Sequence, residues 1–315
     1  MLEFDLIRKY FTRPGTRQDV ILGVGDDAAL LRVPPDQELV VCVDTLVSGV
    51  HFPEDTPAQA VGHKALAVNL SDIAAMGATP AWATLALTLP EADEAWVAAF
   101  SKGFLGLARR HDMDLVGGDT TQGPLSVTVQ VMGFVPRGQA LRRAGARAGE
   151  GIYVTGTLGD ASLGLRQWAH RGQGDVNTDW LVERLTHPSP RIEAGLALRG
   201  QARCAIDLSD GLLADLGHVL ESSGVGATLQ LSHMPLSEAF RALCGDAPDW
   251  GLALAGGDDY ELLFTLPEGV AGLLRTCVPT PFTRIGTIDA EPGLRVLDAE
   301  GRPFSLPKPG YQHFT

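Results

Sequence analysis

The stretch A58-Q-A-V-G-H-K-A-L-A-V-N-L-S-D-I-A-A-M76, followed by A83-T-L-A-L-T-L89, decides the fold class. Apolar residues form one stripe at helical spacing in its first part: Val61, Ala65, Val68 and Ala75. This spacing predicts a helix over 58–76, and the run 83–89 predicts a strand. Asp72 falls on the same stripe, where a carboxylate needs a ligand, a cap or a proton. The alternative for Asp72 is a polar helix end near Asn69 and Ser71.

The rest of the chain continues this alternation of strands and helices and divides into two parts. In the first part we predict further strands at 19–22, 39–43, 115–116 and 126–135, and a helix at 92–111. A second series is predicted at 152–155, 158–170, 202–208, 212–222 and 261–265, after a segment rich in Gly, Ala and Arg. We therefore predict an α/β (α+β) fold with two domains, at 1–136 and 151–315, joined by a linker at 137–150.

Composition excludes several classes of protein. The 315 residues carry a formal net charge of −13 and are 45% apolar, which indicates a globular protein with a sizeable core. The negative charge disfavours a nucleic-acid partner, because phosphate backbones are bound by clustered Lys and Arg. No apolar run approaches the ~20 residues of a membrane span, and the N-terminus has no apolar signal region. The 4 cysteines are far apart, with no C-x-x-C pair, so we expect a cytoplasmic protein.

Carboxylates recur in short, turn-like motifs along the chain. These motifs are G23-V-G-D-D-A28, V43-D-T45, N69-L-S-D72, G117-G-D-T120, I206-D-L-S-D-G211 and G256-G-D-D-Y-E261. Carboxylates gathered at one place need divalent cations to offset their repulsion. Mg²⁺ binds through a few carboxylates, keeps some waters and shares substrate phosphates. The motifs therefore predict an enzyme that uses a magnesium-bound nucleotide.

The first of these motifs allows other interpretations. G23-V-G-D-D-A28 formally satisfies the dinucleotide-binding pattern G-x-G-x-x-A after a strand. Asp26 and Asp27 would repel a bare pyrophosphate but are compatible with a metal-bridged phosphate. A Gly-Asp turn that caps the next helix is the alternative. The chain has no G-x-x-x-x-G-K-[ST], H-R-D or D-F-G motif, so any ATP is bound by another route.

The later motifs place polar groups at a strand end and in turns. Asp207 and Ser209 share one face of a predicted strand, and Asp210 comes at the start of the next helix. Helix capping would explain Ser209 or Asp210 but not Asp207 as well. The two paired-glycine motifs are predicted to be turns, where glycine permits positive φ and close approach to a ligand. A basic run, either a phosphate contact or a solvated loop, contains Arg142, Arg143 and Arg147.

Across nearly its whole length the chain resembles the thiamine-monophosphate kinase family. The resemblance rests on G23-V-G-D-D27, D44-T-L-V-S-G-V-H-F52, K64-A-L-A-V-N-L-S-D-I-A-A-M-G-A78, G117-G-D-T-T121, I206-D-L-S-D-G211, G256-G-D-D-Y-E-L262 and G310-Y-Q-H-F314. This family belongs to the aminoimidazole-ribotide synthetase-like superfamily. The resemblance implies an N-terminal α/β domain that binds ATP and Mg²⁺ and forms a homodimer, together with a C-terminal α/β domain. It also implies several Mg²⁺ ions and direct transfer of the ATP γ-phosphoryl group to thiamine monophosphate, giving thiamine diphosphate and ADP.

The resemblance further implies roles for single residues. The expected Mg²⁺ ligands are Asp27, Asp44, Asp72, Asp119, Asp207 and Asp210. Contacts to ATP are expected from Gly118, Asp119, Arg143 and Ser209, and contacts to the thiamine substrate from His51, Asp258 and Tyr311. Catalysis is expected to depend on Asp44, Asp72, Asp119, Arg143 and Asp210. Because the acceptor oxygen is already anionic, alignment and charge neutralisation take the place of a general base.

Two positions depart from the family's pattern. Cys42-Val43 stands where hydroxyl residues commonly precede D-T-L-V, and Asp258 stands where the family has the longer Glu. The competing interpretations are another ATP-dependent enzyme of the same superfamily and a non-enzymatic metal-binding or regulatory protein. The segments 44–52 and 310–314 together favour the kinase over the first, and the second would need no paired nucleotide and thiamine sites.

Overall fold

The computed structural model describes residues 3–12, 15–245, 247–305 and 310, and the chain divides into two compact units. The first unit spans Met1–Ile73 and Ala78–Gly138, and the second spans Ala74–Gly77 and Gln139–Thr315. Residues 74–77, which include the end of a helix, thus belong to the second unit, and the chain returns to the first unit at residue 78. The linker bounds 137–150 and the roles of the two domains stay predictions. Tyr311, predicted to contact thiamine, lies outside the described residues.

In the part of the chain that the structure describes, the first unit contains a four-stranded sheet, a two-stranded hairpin and three helices. Its strands are β1 (Val20–Leu22), β2 (Leu30–Leu31), β3 (Gln37–Val47), β4 (Thr79–Leu89), β5 (Asp114–Gln122) and β6 (Ser126–Pro136). Its helices are α1 (Glu3–Leu6), continued by a π-helical turn (Ile7–Phe11), α2 (Ala58–Ala75) and α3 (Glu94–Arg110). The sheet order is β3-β6-β4-β5, in which the β4–β5 pair is parallel and the others antiparallel. Strands β3 and β5 are therefore the two edges.

Helix α2 is buried on nearly all sides, so the apolar stripe is only part of its buried surface. Residues 60–71 are all buried. The backbones of α2 and α3 are in direct contact at two glycines. A Cβ added to Gly62 would lie 2.1 Å from Phe100 O, and a Cβ added to Gly103 would lie 1.9 Å from Gln59 O. The two glycines let the helix axes approach closely, and this contact fixes the helix that carries the inward-facing carboxylate.

The second unit is built on a six-stranded mixed sheet. Its strands are β7 (Gly151–Thr155), β8 (Ala205–Asp207), β9 (Gly226–Gln230), β10 (Leu262–Leu266), β11 (Phe282–Asp289) and β12 (Gly293–Leu297). Its helices are α4 (Asp160–Arg166), α5 (Val176–Thr186), α6 (Ile192–Leu198), α7 (Leu212–Ser223), α8 (Glu238–Cys244), α9 (Trp250–Ala255) and α10 (Val270–Leu274), with 3₁₀ turns at Trp168–His170 and Leu231–His233. The strand order is β12-β9-β11-β7-β10-β8, and β12–β9 is the parallel pair. Its core includes Ile152, Leu216 and Phe240.

The two-domain α/β (α+β) fold class is confirmed, and one finer expectation is wrong. Residues 117–120 were predicted to form a turn but lie within β5. Strand β8 pairs antiparallel with β10. Within the described ranges, no helix is both long enough and apolar enough to cross a bilayer.

Candidate active site

Asp44 of β3 and Asp72 of α2 lie together in the first unit, and their carboxyl groups share a hydrogen bond. Since side chains alternate along a strand, Asp44 points to the same side of β3 as Cys42, whose thiol donates to Asn69 O of α2 (3.4 Å). Burial raises the pKa of Asp44, while the hydrogen bond to Asp72 and the electrostatic interaction with His51 oppose that rise. Two carboxyl groups this close must share a proton or a cation.

Cys42, one of the departures from the family's pattern, lies beside this carboxylate pair. Burial, followed by the negative charges of Asp72 and Asp44, raises the pKa of Cys42, so the side chain stays a neutral thiol. Thiols are soft ligands, whereas Mg²⁺ prefers oxygen. Cys42 therefore packs next to the acids and does not add to an oxygen ligand set.

His51 folds back onto the end of β3. Its Nδ1 accepts a hydrogen bond from Val47 N (2.9 Å), and its own backbone N–H donates to Val47 O (2.9 Å). Gly49, with φ of 76°, closes the turn by donating to Phe52 O (2.9 Å). The neutral ring therefore carries its proton on Nε2. The structure places this predicted thiamine contact within electrostatic range of Asp44.

Asp27 lies in the exposed connection between β1 and β2. Its backbone N–H donates to Asp26 Oδ1 (2.8 Å), and Gly25 has φ of 127°. The next element is strand β2, whereas both the dinucleotide-binding pattern and a helix cap require a helix there. Those two interpretations of the first motif are therefore wrong. Its role as a metal ligand stays a prediction.

Gly118 and Asp119 lie on β5, at the sheet edge opposite β3. A Cβ on Gly118 would meet Leu85 O at 1.9 Å, so the glycine is required by the pairing of β5 with β4. Asp119 is exposed, and its Oδ1 accepts from Thr120 N (2.9 Å). Three inter-strand spacings of about 4.8 Å, or roughly 14 Å, separate this edge from Asp44. The role of Asp119 as an Mg²⁺ ligand stays a prediction.

Asp207 ends β8, and Ser209 and Asp210 follow it before α7. Gly211, with φ of 112°, occupies the N-cap position of α7, and the carboxylate that reaches the backbone there is Asp215. Its Oδ2 accepts from Asp210 N and Gly211 N, both at 3.1 Å. Burial, followed by the charges of Asp207 and Asp210, raises the pKa of Asp215 to about 7. The alternative that Ser209 or Asp210 caps the helix is wrong, because Gly211 occupies the N-cap position and no side chain caps it.

The second paired-glycine motif forms a turn that is hydrogen-bonded to the segment after β8. Asp258 N donates to Ser209 O (2.8 Å), and Tyr260 N donates to Leu208 O (2.8 Å). In return, Leu208 N donates to Glu261 O (2.9 Å). Asp258 and Tyr260 have positive φ, 64° and 49°. These backbone contacts bring together Ser209, a predicted ATP contact, and Asp258, a predicted substrate contact.

Arg143 lies in the irregular segment that runs beside the β8 edge. The preceding carbonyl, Arg142 O, accepts a hydrogen bond from Ala205 N (2.9 Å) at the start of β8. Arg143 itself is exposed and belongs to the same unit as Asp207 and Ser209. An exposed guanidinium at this position can pair with phosphate oxygens through two parallel N–H groups.

The predicted Mg²⁺ ligands thus divide between the two units. The first unit holds Asp27, Asp44, Asp72 and Asp119, and the second holds Asp207 and Asp210. Among the residues that the structure describes, no three or more His, Cys, Asp and Glu side chains form a ready-made metal site. The Asp44–Asp72 pair nevertheless fits Mg²⁺, because this ion needs only one or two carboxylates when waters and substrate phosphates complete its shell.

Sequence reasoning missed Asp215 and Glu261, both of which organise the second unit's predicted contacts. A carboxylate one turn inside a predicted helix, four residues after Gly211, is a recognisable capping signal and could have identified Asp215. Glu261 is held by side chains that are distant in sequence, so its partners have no local signal.

The chain is similar to known proteins over nearly its full length. Residues 25–135 match the N-terminal domain of AIR synthase related protein, and residues 147–298 match the C-terminal domain. The thiamine-monophosphate kinase of Salmonella typhimurium is 49% identical over 320 residues, which cover 99% of this chain and 98% of that protein. The crystal structure of thiamine-monophosphate kinase from Stenotrophomonas maltophilia K279a has a TM-score of 0.85 and 49% identity, covering 92% of this chain and 93% of that chain. AaThiL complexed with AMPPCP and TMP has a TM-score of 0.81 and 32% identity, covering 92% of each chain.

Proposed function

The chain belongs to the thiamine-monophosphate kinase family, and we therefore propose that it transfers the γ-phosphoryl group of ATP to thiamine monophosphate. The products are thiamine diphosphate and ADP, and the reaction depends on Mg²⁺. The similarity to AaThiL, whose structure is a complex with AMPPCP and TMP, supports this choice of the two substrates. The single observation that carries the Mg²⁺ dependence is the partly buried, hydrogen-bonded pair of Asp44 and Asp72.

Charge decides how such a reaction proceeds. The acceptor is a phosphate oxygen that is already anionic, so the protein has no proton to remove from it. Two unit charges 4 Å apart repel by about 4 kcal/mol at an effective dielectric constant of 20, and two phosphate chains contain several such pairs. Bound Mg²⁺ would neutralise and bridge the phosphates. The protein's task is therefore to hold the ions and align the two substrates.

Individual residues in each unit would perform parts of this task. In the first unit, Asp44, Asp72, Asp119 and Asp27 would hold ions, and His51 would contact the thiamine body. In the second unit, Asp207 and Asp210 would hold ions, and Ser209 and Arg143 would contact ATP. Asp258 would contact thiamine from a backbone position that its hydrogen bond to Ser209 O fixes. Arg143 would stabilise the charge on the transferred group.

A coupled assay for ADP with thiamine monophosphate, ATP and Mg²⁺ tests the proposal. We expect turnover that disappears when Mg²⁺ is chelated, and we expect thiamine diphosphate as the product by chromatography. A panel of other acceptors distinguishes this function from other ATP-dependent reactions of the superfamily. ADP formation with another acceptor, and none with thiamine monophosphate, would contradict the proposal.

We also propose that the protein is a homodimer formed through the first unit. Edge strand β3 presents a row of apolar side chains to solvent: Leu39 is 43% exposed, Val41 48% and Val43 60%. They alternate along the strand, so they form one apolar stripe next to an open row of backbone groups. Such an edge favours pairing with another chain, and a second copy is the partner that family membership suggests.

Sedimentation at micromolar concentration tests the dimer. We expect a mass about twice 33.4 kDa. Val43→Lys should shift the mass towards the monomer, because it places a charge in the stripe. Val176→Lys, at a residue that is 74% exposed in the second unit, is the matched control and should leave the dimer intact. A wild-type protein that sediments as a monomer would contradict the proposal.

We place this enzyme in the cytoplasm. All four cysteines, Cys42, Cys204, Cys244 and Cys277, are free thiols. Free thiols at separate positions suit a reducing compartment.

A further inference from the structure

A buried group of charges lies behind the turn that carries Asp258. We call it the Glu261 ionic cluster, and its members are Asp160, Arg184, Arg191, Asp259 and Glu261. The Glu261 side chain is fully buried, and three partners bind its two oxygens. Arg191 donates through Nε to Oε2 (2.6 Å) and through Nη2 to Oε1, Arg184 Nη2 donates to Oε1 (2.9 Å), and Thr155 Oγ1 donates to Oε2 (2.6 Å).

The cluster reaches the turn at two further points. Arg184 Nη2 also donates to the backbone oxygen of Asp259 (3.4 Å). Asp259 Oδ1 accepts from Gly159 N (2.9 Å) at the start of α4. The turn is thereby attached to α4 and α5 on one side, and by its backbone to the segment after β8 on the other.

The turn needs such support, because its backbone conformation is unfavourable for the residues it contains. Asp258 and Tyr260 both have positive φ, which costs of order 1 kcal/mol or more for a residue with a side chain. Two such residues within three positions persist only when surrounding contacts hold them. The Glu261 ionic cluster supplies these contacts directly behind the turn.

We propose that Glu261, held by Arg184 and Arg191, is a positioning residue that sets the place of Asp258 for thiamine monophosphate. The inference rests on the proposed function for the identity of the substrate and for the contact of Asp258 with it. Glu261 acts through the backbone of the turn and does not touch the substrate itself. The segment after β8, with Ser209, shares backbone hydrogen bonds with the turn but has further support from Asp215, whose Oδ2 accepts from Asp210 N and Gly211 N. Loss of the Glu261 charge should therefore affect thiamine monophosphate much more than ATP.

The chain offers a matched control at the opposite end of the same strand pair. Glu150 precedes β7, is also buried, accepts a hydrogen bond from Thr265 Oγ1 (2.9 Å) and lies 3.5 Å from an arginine, Arg203. Glu150→Gln and Glu261→Gln each remove one buried negative charge from an end of this strand pair. Only Glu261 lies at the turn that carries Asp258.

Steady-state kinetics separate positioning from stability. For Glu261→Gln we expect KM for thiamine monophosphate to rise about tenfold or more, while KM for ATP and kcat change less than about threefold. Arg191→Lys should give a smaller rise in KM for thiamine monophosphate, since Lys offers a point charge in place of the bidentate contact. This variant tests the proposal if Glu261→Gln does not fold. Glu150→Gln should leave both KM values unchanged. Equal KM changes in the two Gln variants, or none in either, would overturn the proposal.

Amide hydrogen exchange provides a test that does not depend on activity. The N–H groups of Asp258 and Tyr260 are hydrogen-bonded, so they should be protected in wild type and in Glu150→Gln. They should exchange at least about tenfold faster in Glu261→Gln. Unchanged protection there would overturn the positioning role. A wild-type protein inactive on thiamine monophosphate would instead contradict the proposed function, and the exchange result would still decide the role of Glu261.

Discussion

The carboxyl groups of Asp44 on β3 and Asp72 on α2 are hydrogen-bonded to each other, although 28 positions separate them in the chain. Burial disfavours two charges side by side, so one proton is shared when no cation is present. A bound cation takes the place of that proton. Both residues should therefore matter for metal binding and little for folding.

Replacing either acid by Asn should reduce kcat/KM by about 100-fold or more, because a ligand that holds Mg²⁺ near the phosphates is lost. The Tm of the metal-free protein should stay the same or rise, because Asn keeps hydrogen-bonding groups and removes the need for two carboxyl groups to share a proton. Kinetics across a Mg²⁺ titration and thermal unfolding measure the two effects. Asp5→Asn, at an exposed position of α1, is the control. Near-normal activity of both Asp44→Asn and Asp72→Asn at limiting Mg²⁺ would rule out this role.

Asp259 is the surplus acid of the Glu261 ionic cluster, which has three acids and two arginines. Its Oδ2 is buried without a hydrogen-bond partner among the described residues. Burial, and then the charge of Asp160, raises the pKa of Asp259 well above its ordinary value, against the opposing effect of Arg184; Glu261 raises it further. The charged form is therefore the unfavourable one in the folded protein.

The stability of the protein should accordingly depend on pH through Asp259. Because its pKa is raised on folding, its contribution is greatest below the unfolded pKa near 3.9 and falls as pH rises through the folded pKa. Asp259→Asn keeps an acceptor for Gly159 N and has no charge to lose. We expect its Tm to exceed that of wild type by about 2–4 °C at pH 8.5, with the difference disappearing near pH 4. A wild-type protein more stable than the variant at pH 8.5 would contradict this account.

The four thiols should differ sharply in reactivity. Cys277 is exposed, whereas Cys204 is buried and its pKa is raised to about 11, mainly by burial. Burial and two neighbouring acids also raise the pKa of Cys42. Since the thiolate is the reactive form, a disulfide reagent at pH 8 should titrate Cys277 in a rapid phase and Cys204 only slowly in the native protein, and all four thiols after unfolding. Cys277→Ser should remove the rapid phase. Rapid native reaction of Cys204 would be inconsistent with its burial.

Unphosphorylated thiamine should be a very poor acceptor. Its hydroxyl group is neutral, offers no anionic oxygen to a metal ion and would need a general base to lose its proton. Because general base catalysis contributes typically 10²–10⁴-fold, we expect turnover with thiamine to be lower by about that factor. Parallel ADP-release assays with the two acceptors measure the ratio. Comparable rates would mean that a base operates in the site.

Local patterns predicted the helix over 58–76 and the strands around it, because periodicity is a property of neighbouring residues. The motif resemblance, but not the spacing, predicted that Asp44 and Asp72 belong to one site. The glycine pair at 117–118 was misread as a turn, since the reason for Gly118 is a close contact with Leu85 on another strand. Likewise, residues 74–77 belong to the second unit although the helical pattern runs through them without a break.

The contact between α2 and α3 through Gly62 and Gly103 has a consequence for how this sequence can vary. Any side chain at either position would collide with the backbone of the facing helix, which cannot move aside as a side-chain tip can. A single substitution must then displace α2 and, with it, the carboxyl group of Asp72. A selection for kinase activity from a library randomised at both positions should therefore return glycine at each. A single substitution at either glycine is therefore selected against, and the sequences of α2 and α3 can change at this contact only together.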